Sequence, residues 1–250
     1  MTKQNKQGGF TLVEMSIVLV IIGLIVGGVL VGQDLIKAAR IRAVVAQIQG
    51  YDTSINAFMG KYDDIPGDIS QAVAFGLGGA DGDGDGVVEN GTTATFDGEL
   101  DDFWLHLSAA NMADGSYAAG GATAGTNFPR TKLKKGGVIA VMEGSNLTWV
   151  LGTGNAALTT TLSTWVGDVL TPAEAFGIDS KLDDGKADTG SIVAISAVAT
   201  IVAGAAATFT AETTGTTTAT DCLANTTDDI FRLDNSANAC TLKIRSSSGA

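Results

Sequence analysis

The chain has 250 residues, enough for one large domain or two small ones, with 45% hydrophobic and only 6% aromatic residues. Lys and Arg number 15 against 27 Asp and Glu, a formal net charge of −12. An acidic balance of this size argues against nucleic acid as a partner, because binding to phosphate backbones rests on Lys and Arg, and it leaves room for cations.

The first nine residues carry Lys3 and Lys6 and no acid, and are followed by Phe10-Thr11-Leu12-Val13-Glu14. Met15 to Gly32 then runs for eighteen residues without a charge. As a helix that run spans roughly 27 Å, close to the roughly 30 Å of bilayer hydrocarbon. The basic start keeps residues 1–9 on the cytoplasmic side and sends everything beyond Gly32 across the membrane. A cleavable secretory signal would end in small residues directly after its apolar core, whereas Asp34 and Lys37 intervene before Ala38-Ala39-Arg40. Glu14 is the anomaly: a carboxylate at the edge of an apolar helix is costly in lipid unless it finds a partner.

These residues resemble the N-terminus of type IV pilins and type II secretion pseudopilins, whose precursors carry a short basic leader, then Gly, Phe, Thr, Leu, any residue and Glu. The match is complete at Gly9, Phe10, Thr11, Leu12 and Glu14. The resemblance implies that a prepilin peptidase cuts between Gly9 and Phe10 and methylates the new amine of Phe10. It also implies that Glu14 pairs with the Phe10 amine of a neighbouring subunit as copies join, through an inner-membrane assembly platform, into a homo-oligomeric filament with other pilins or pseudopilins. The organisation to expect is a leader (1–9), a transmembrane and assembly helix (10–33), a head-packed half of that helix (34–65) and a periplasmic α+β head (66–250). Its fold class is a long N-terminal helix laid on an antiparallel sheet, with short extra helices and a C-terminal disulfide loop.

Beyond the anchor, Ile41, Val44, Ile48, Tyr51, Ile55, Phe58 and Tyr62 recur at spacings of three and four, a one-sided stripe that predicts a helix packed on a core and ended by Pro66-Gly67. Asp81-Gly82-Asp83-Gly84-Asp85-Gly86-Val87-Val88-Glu89 places carboxylates at alternate positions with glycine at the sixth, as in a loop that wraps calcium. The expected ligands are Asp81, Asp83, Asp85, the carbonyl of Val87, and Glu89. The twelfth position is Thr92 instead of glutamate, so a further ligand must come from Asp97, Glu99 or Asp101. A solvated acidic turn is the other reading of the loop. Major pseudopilins commonly bind calcium in their heads, so the resemblance leans toward the ion.

Asp101 to Met112 predicts a short helix bearing His106, the only histidine, with no catalytic constellation around it. Val138–Met142 and Leu147–Leu151 predict a hairpin at the centre of the sheet, joined by the four residues Glu143 to Asn146. Thr171-Pro172-Ala173-Glu174 is a capping box, predicting a helix to about Leu182 that buries Phe176 and Ile178. Asp179, Asp183, Asp184 and Asp188 form a second acidic cluster of irregular spacing. Ile192–Ala203 is too short to span a membrane as a helix and reads as a strand, and Thr208–Thr220 as a loop or strand edge. The last segment predicts a hairpin turning at Asp234-Asn235-Ser236. Cys222 and Cys240, with seventeen residues between them in an exported chain, read as a disulfide, with two unrelated thiols as the alternative.

No Gly-x-Ser-x-Gly, histidine pair or Cys-His pair is present, so a membrane-tethered hydrolase finds no support. The sequence points to a non-enzymatic subunit of a type II secretion pseudopilus. The alternative is a major or minor type IV pilin whose head binds a surface or partner.

Overall fold

The computed structural model describes residues 10–89, 98–121, 123–154, 166–200, 208–211, 222–224 and 230–248. The expectations for Gly9 and the leader, for Asp97, and for 212–220 lie outside the described residues. The chain divides into two compact units, residues 1–40 and 41–250.

Helix α1 (Leu12–Tyr62) is the first element. Within the first unit its apolar side chains face outward, with Leu12 86% and Leu24 73% exposed. It is the one helix among the described residues long and apolar enough to cross a membrane. An apolar surface on every side of a helix is stable only in lipid or against other apolar surfaces.

In the second unit the same helix becomes one-sided. Val44, Ile48, Ile55 and Phe58 are buried and Ile41, Tyr51 and Tyr62 pack partly against the core, which is the stripe that the spacing predicts. The helix stops at Tyr62, four residues before the expected Pro66. Asp63 takes a positive φ of 58°, and its N–H bonds the carbonyl of Met59.

Helix α2 (Glu99–Ala109) begins two residues earlier than the pattern suggests and ends before Asn111, whose φ is 57°. It contributes Phe103, Trp104 and Leu107 to the core. His106 is fully buried: Nδ1 accepts the Gly67 N–H at 3.0 Å and Nε2 bonds the Gly78 carbonyl at 3.1 Å, so a neutral ring pins the segment after α1 to α2.

The sheet contains β1 (Gly137–Glu143), β2 (Asn146–Gly154), β3 (Val166–Gly167), β4 (Ile192–Thr200), β5 (Thr208–Ala211) and β6 (Thr241–Arg245), every pairing antiparallel. The order is β1-β2-β6-β4-β5, with β3 on β2. The β1–β2 hairpin turns on two residues, Gly144-Ser145, because Glu143 pairs with Asn146. It does not form the centre of the sheet. β1 lies at an edge, and β6 enters between β2 and β4, with Leu151 opposite Leu242 and Ile192 opposite Ile244. The expected final hairpin is likewise not formed: Phe231 bridges to Leu223, eight residues earlier, and Cys240 to the distant Leu170.

Helix α3 (Pro172–Leu182) starts with the predicted box, Thr171 Oγ1 accepting from Glu174 N–H while the Glu174 carboxylate accepts from Thr171 N–H. Ile178 is buried, but Phe176 is 39% exposed and touches Phe231 edge-on at 6.1 Å. Ala175, one residue earlier, takes the inward position instead. Cys222 and Cys240 are bonded, with Cα atoms 5.0 Å apart, tying the Leu223 bridge to the start of β6.

The core is aromatic at its middle. Trp104, Trp149, Phe58, Phe103 and Phe128 are all but fully enclosed, and Tyr51 of α1 meets Trp104 at 4.7 Å and Trp149 at 5.6 Å.

Candidate functional site

The candidate residues from the sequence gather at two places, one in each unit. In the first, α1 opens on a reciprocal cap. Glu14 Oε2 accepts from both the backbone N–H and the Oγ1 hydroxyl of Thr11, each at 2.8 Å, and Thr11 Oγ1 accepts from Glu14 N–H at 3.3 Å. Thr-x-x-Glu is a capping-box spelling, so this second role of Glu14 was readable from the residues and was overlooked beside the anomaly of its charge. Phe10 precedes the helix and is 80% exposed. Exposed Phe10, the cap and the apolar helix thus lie in direct sequence.

In the second unit the acidic loop folds over Asp68, a residue the spacing argument does not reach. Asp68 is wholly buried, and its Oδ1 and Oδ2 accept the N–H groups of Gly84 and Gly86, both at 2.8 Å. The loop backbone is drawn in further by bonds from Gly84 N–H to the Asp68 carbonyl and from Gly82 N–H to the Ile69 carbonyl. This approach requires glycine at 82, where a Cβ would fall 2.3 Å from the Asp68 carbonyl.

The result brings carboxylate oxygens of Asp68, Asp83 and Asp85 within 4.8 Å of one another. Asp81 departs from the expected ligand set, its Oδ1 being turned to the Val73 N–H at 2.9 Å. Val87 and Glu89 stand outside the three-carboxylate group. Val87 N–H bonds Asp85 Oδ1 at 2.8 Å, and Glu89 N–H bonds Glu99 Oε2 at 3.0 Å. Glu99, one of the three candidates for a further ligand, instead holds the loop at two points, its Oε1 also accepting from Asp83 N–H at 3.1 Å. Asp101, another of them, accepts the Gly120 N–H.

Crowded negative charge shows in the acidities. Burial pushes Glu99 up to about 7, against the pull of its two N–H bonds and with Asp68 and Asp83 adding to the rise. Burial also raises Asp68, opposed by the N–H groups of Gly86 and Gly84. Glu89 is raised by burial and by Asp85 and Asp83. Three hard oxygen donors at this spacing fit an ion with ligand distances of 2.3–2.6 Å, the calcium range. Asp68 escaped the sequence reading because nothing in local spacing says that a turn after α1 will close under a loop thirteen residues later.

Residues 4–30 match the family model described as the prokaryotic N-terminal methylation motif, the signature of type IV pilins and pseudopilins. No curated protein and no solved structure matches the chain.

Proposed function

We propose that the chain is a non-enzymatic subunit of a helical filament, and that the filament is a type II secretion pseudopilus. The observation that carries this reading is the junction itself: the methylation motif at 4–30 leads without interruption into an uncharged helix whose apolar side chains are exposed all round.

In this reading prepilin peptidase removes residues 1–9 at the cytoplasmic face of the inner membrane and methylates the Phe10 amine. The apolar part of α1 rests in lipid, with the head in the periplasm, until the assembly platform passes the subunit to the growing filament. There Glu14 meets the Phe10 ammonium of an adjoining copy. Both bonds from Thr11 fall on Oε2, so a neighbour's ammonium reaches Oε1 without unwinding the first turn. A subunit in the wrong register leaves both charges unpaired in an apolar bundle, a penalty of several kcal/mol, so the pair fixes register. In the head, Asp68, Asp83 and Asp85 would hold a calcium ion, which when bound supplies charge neutralisation that locks the loop. Calcium favours the pseudopilus reading; the Cys222–Cys240 disulfide favours a second one, a major or minor type IV pilin with a partner-binding head.

Mass spectrometry of the native protein tests the proposal. Methyl-Phe10 at the N-terminus without surface fibres supports the pseudopilus, and methyl-Phe10 in sheared fibres supports the pilus. Retention of residues 1–9 in an active system refutes both. Glu14→Val is expected to insert in the membrane and fail to polymerise; normal filaments from that variant would show that the ion pair is not what assembles them.

A further inference from the structure

We propose that Asp179, Asp183 and Asp184, at the C-terminal end of α3, form a second site for a hard divalent cation of the calcium class, clamping α3 to the start of β4. One carboxylate oxygen from each residue lies within 4.8 Å of the others. Two ligands on one ion at about 2.4 Å are at most about 4.8 Å apart, so this spacing is compatible with one calcium-sized ion shared by the three.

The independent observation is at the deepest of the three. Asp179 is wholly buried; its Oδ1 accepts the Gly185 N–H at 3.2 Å, and its Oδ2, also shielded from solvent, has no hydrogen-bond partner. A buried carboxylate oxygen without a donor costs the desolvation of a charged acceptor, and two more carboxylates beside it deepen that cost. A water would give Oδ2 a donor but leave the negative charge. Lys186 bonds Asp184 through its backbone N–H while its ammonium acts on that carboxylate only at a distance, and Lys135 and Lys243 are paired with Glu174 and Glu143. A cation is the ligand that meets both needs.

The outer two carboxylates are already aimed. Asp183 Oδ2 accepts from the N–H groups of Ser191 and Ile192, and Asp184 accepts from Lys186 N–H and Thr189 Oγ1, both at 2.9 Å. Gly190 makes room, since a Cβ there would sit 1.9 Å from Asp183 Oδ2. At the Asp68 cluster both oxygens of the buried acid are bonded to backbone N–H groups; here one is left for the ion. The site is independent of the filament reading, because it concerns only the head's own ligands.

The test is calcium titration by calorimetry into chelator-stripped, detergent-solubilised full-length protein. It uses an Asp83→Asn/Asp85→Asn background, so that the other loop contributes nothing. We expect one calcium per chain in that background and none, or binding weakened at least tenfold, after adding Asp184→Asn. Asp184 is exposed, so its variant keeps the fold. Asp179→Asn, which retains an oxygen for the Gly185 N–H, is expected to act alike. A background protein that takes up no calcium overturns the proposal, as does unchanged binding in either added variant.

Discussion

Asp52 is the polar bolt between the helical stem of the head and its sheet, and its removal is expected to be the most damaging single change of a polar residue there. It sits on α1, almost fully buried, with Oδ1 accepting the indole N–H of Trp149 at 2.8 Å and the Ser246 hydroxyl, and Oδ2 accepting from Ser247 Oγ at 2.7 Å and Ser247 N–H at 3.3 Å. One carboxylate therefore joins α1, β2 and the segment after β6. Asp52→Ala strands the indole N–H of a tryptophan that is 0% exposed, costing about 1–3 kcal/mol, and forfeits further charge-assisted bonds of about 1.5–3 kcal/mol each before water partly compensates the serines. A net loss of about 3 kcal/mol follows, a drop of roughly 6–12 °C in Tm for a head of this size. The assay is urea unfolding of the detergent-solubilised chain, in a double-mutant cycle with Trp149→Phe. With the indole N–H gone, Asp52→Ala should cost about 1–2 kcal/mol less than in the wild type. Strict additivity of the two substitutions would refute the claim that the orphaned indole is the cause.

Reducing Cys222–Cys240, or replacing both by serine, should lower head stability by about 3 kcal/mol, as loop-closure entropy gives for this 18-residue separation; an unchanged urea midpoint rejects that role. His106 is held below its ordinary value of 6.5 chiefly by burial, against Asp102, so the unfolded chain takes up this proton first as pH falls. Its contribution is therefore full above pH 6.5 and is lost as pH falls below it, and His106→Gln, which can still accept from Gly67 and donate to Gly78, should flatten that part of the stability profile; equal slopes in both proteins exclude it. Gly82→Ala should cost about 1–3 kcal/mol through overlap with the Asp68 carbonyl and weaken any calcium bound at Asp83 and Asp85 by at least tenfold; calorimetry reading wild-type affinity would show that the loop closes some other way.

What could be read from the sequence is what local periodicity and local chemistry encode. The stripe from Ile41 to Tyr62 lies on the core, and Thr171 and Glu174 cap α3 reciprocally, because each signal is complete within a few residues. What could not be read depends on segments far apart in the chain. No pattern within Thr241–Arg245 says that it will part β2 from β4, and none within Val138–Met142 says that β1 will be left at the edge. The same limit applies to the acidic loop: alternate carboxylates suggest an ion, yet the turn before them contributes Asp68 and turns Asp81 to the Val73 N–H. Asp52 was missed because a lone acid on a helix otherwise reads as a solvated one. Phe176 misleads in the opposite direction, since its size suggests burial while the helix phase gives the inward positions to Ala175 and Ile178.

The two parts of α1 obey the same helical geometry and differ in what their surfaces demand. From Ile41 onward one face is apolar, and the head's own core covers it. From Leu12 to Ile36 apolar side chains are exposed around the helix, and nothing within that unit covers them. Lipid tails and identical apolar helices are nearly equivalent surroundings for such a surface, so the hydrophobic effect alone does not favour a polymer over a membrane-bound monomer. The preference must come from a term that lipid cannot supply. Between Leu12 and Gly32 the one acid is Glu14, and on the proposed reading its counter-charge is created only when the bond before Phe10 is cut. Processing would then do more than remove a leader: it would turn an anchor that lipid satisfies into one that only another copy satisfies.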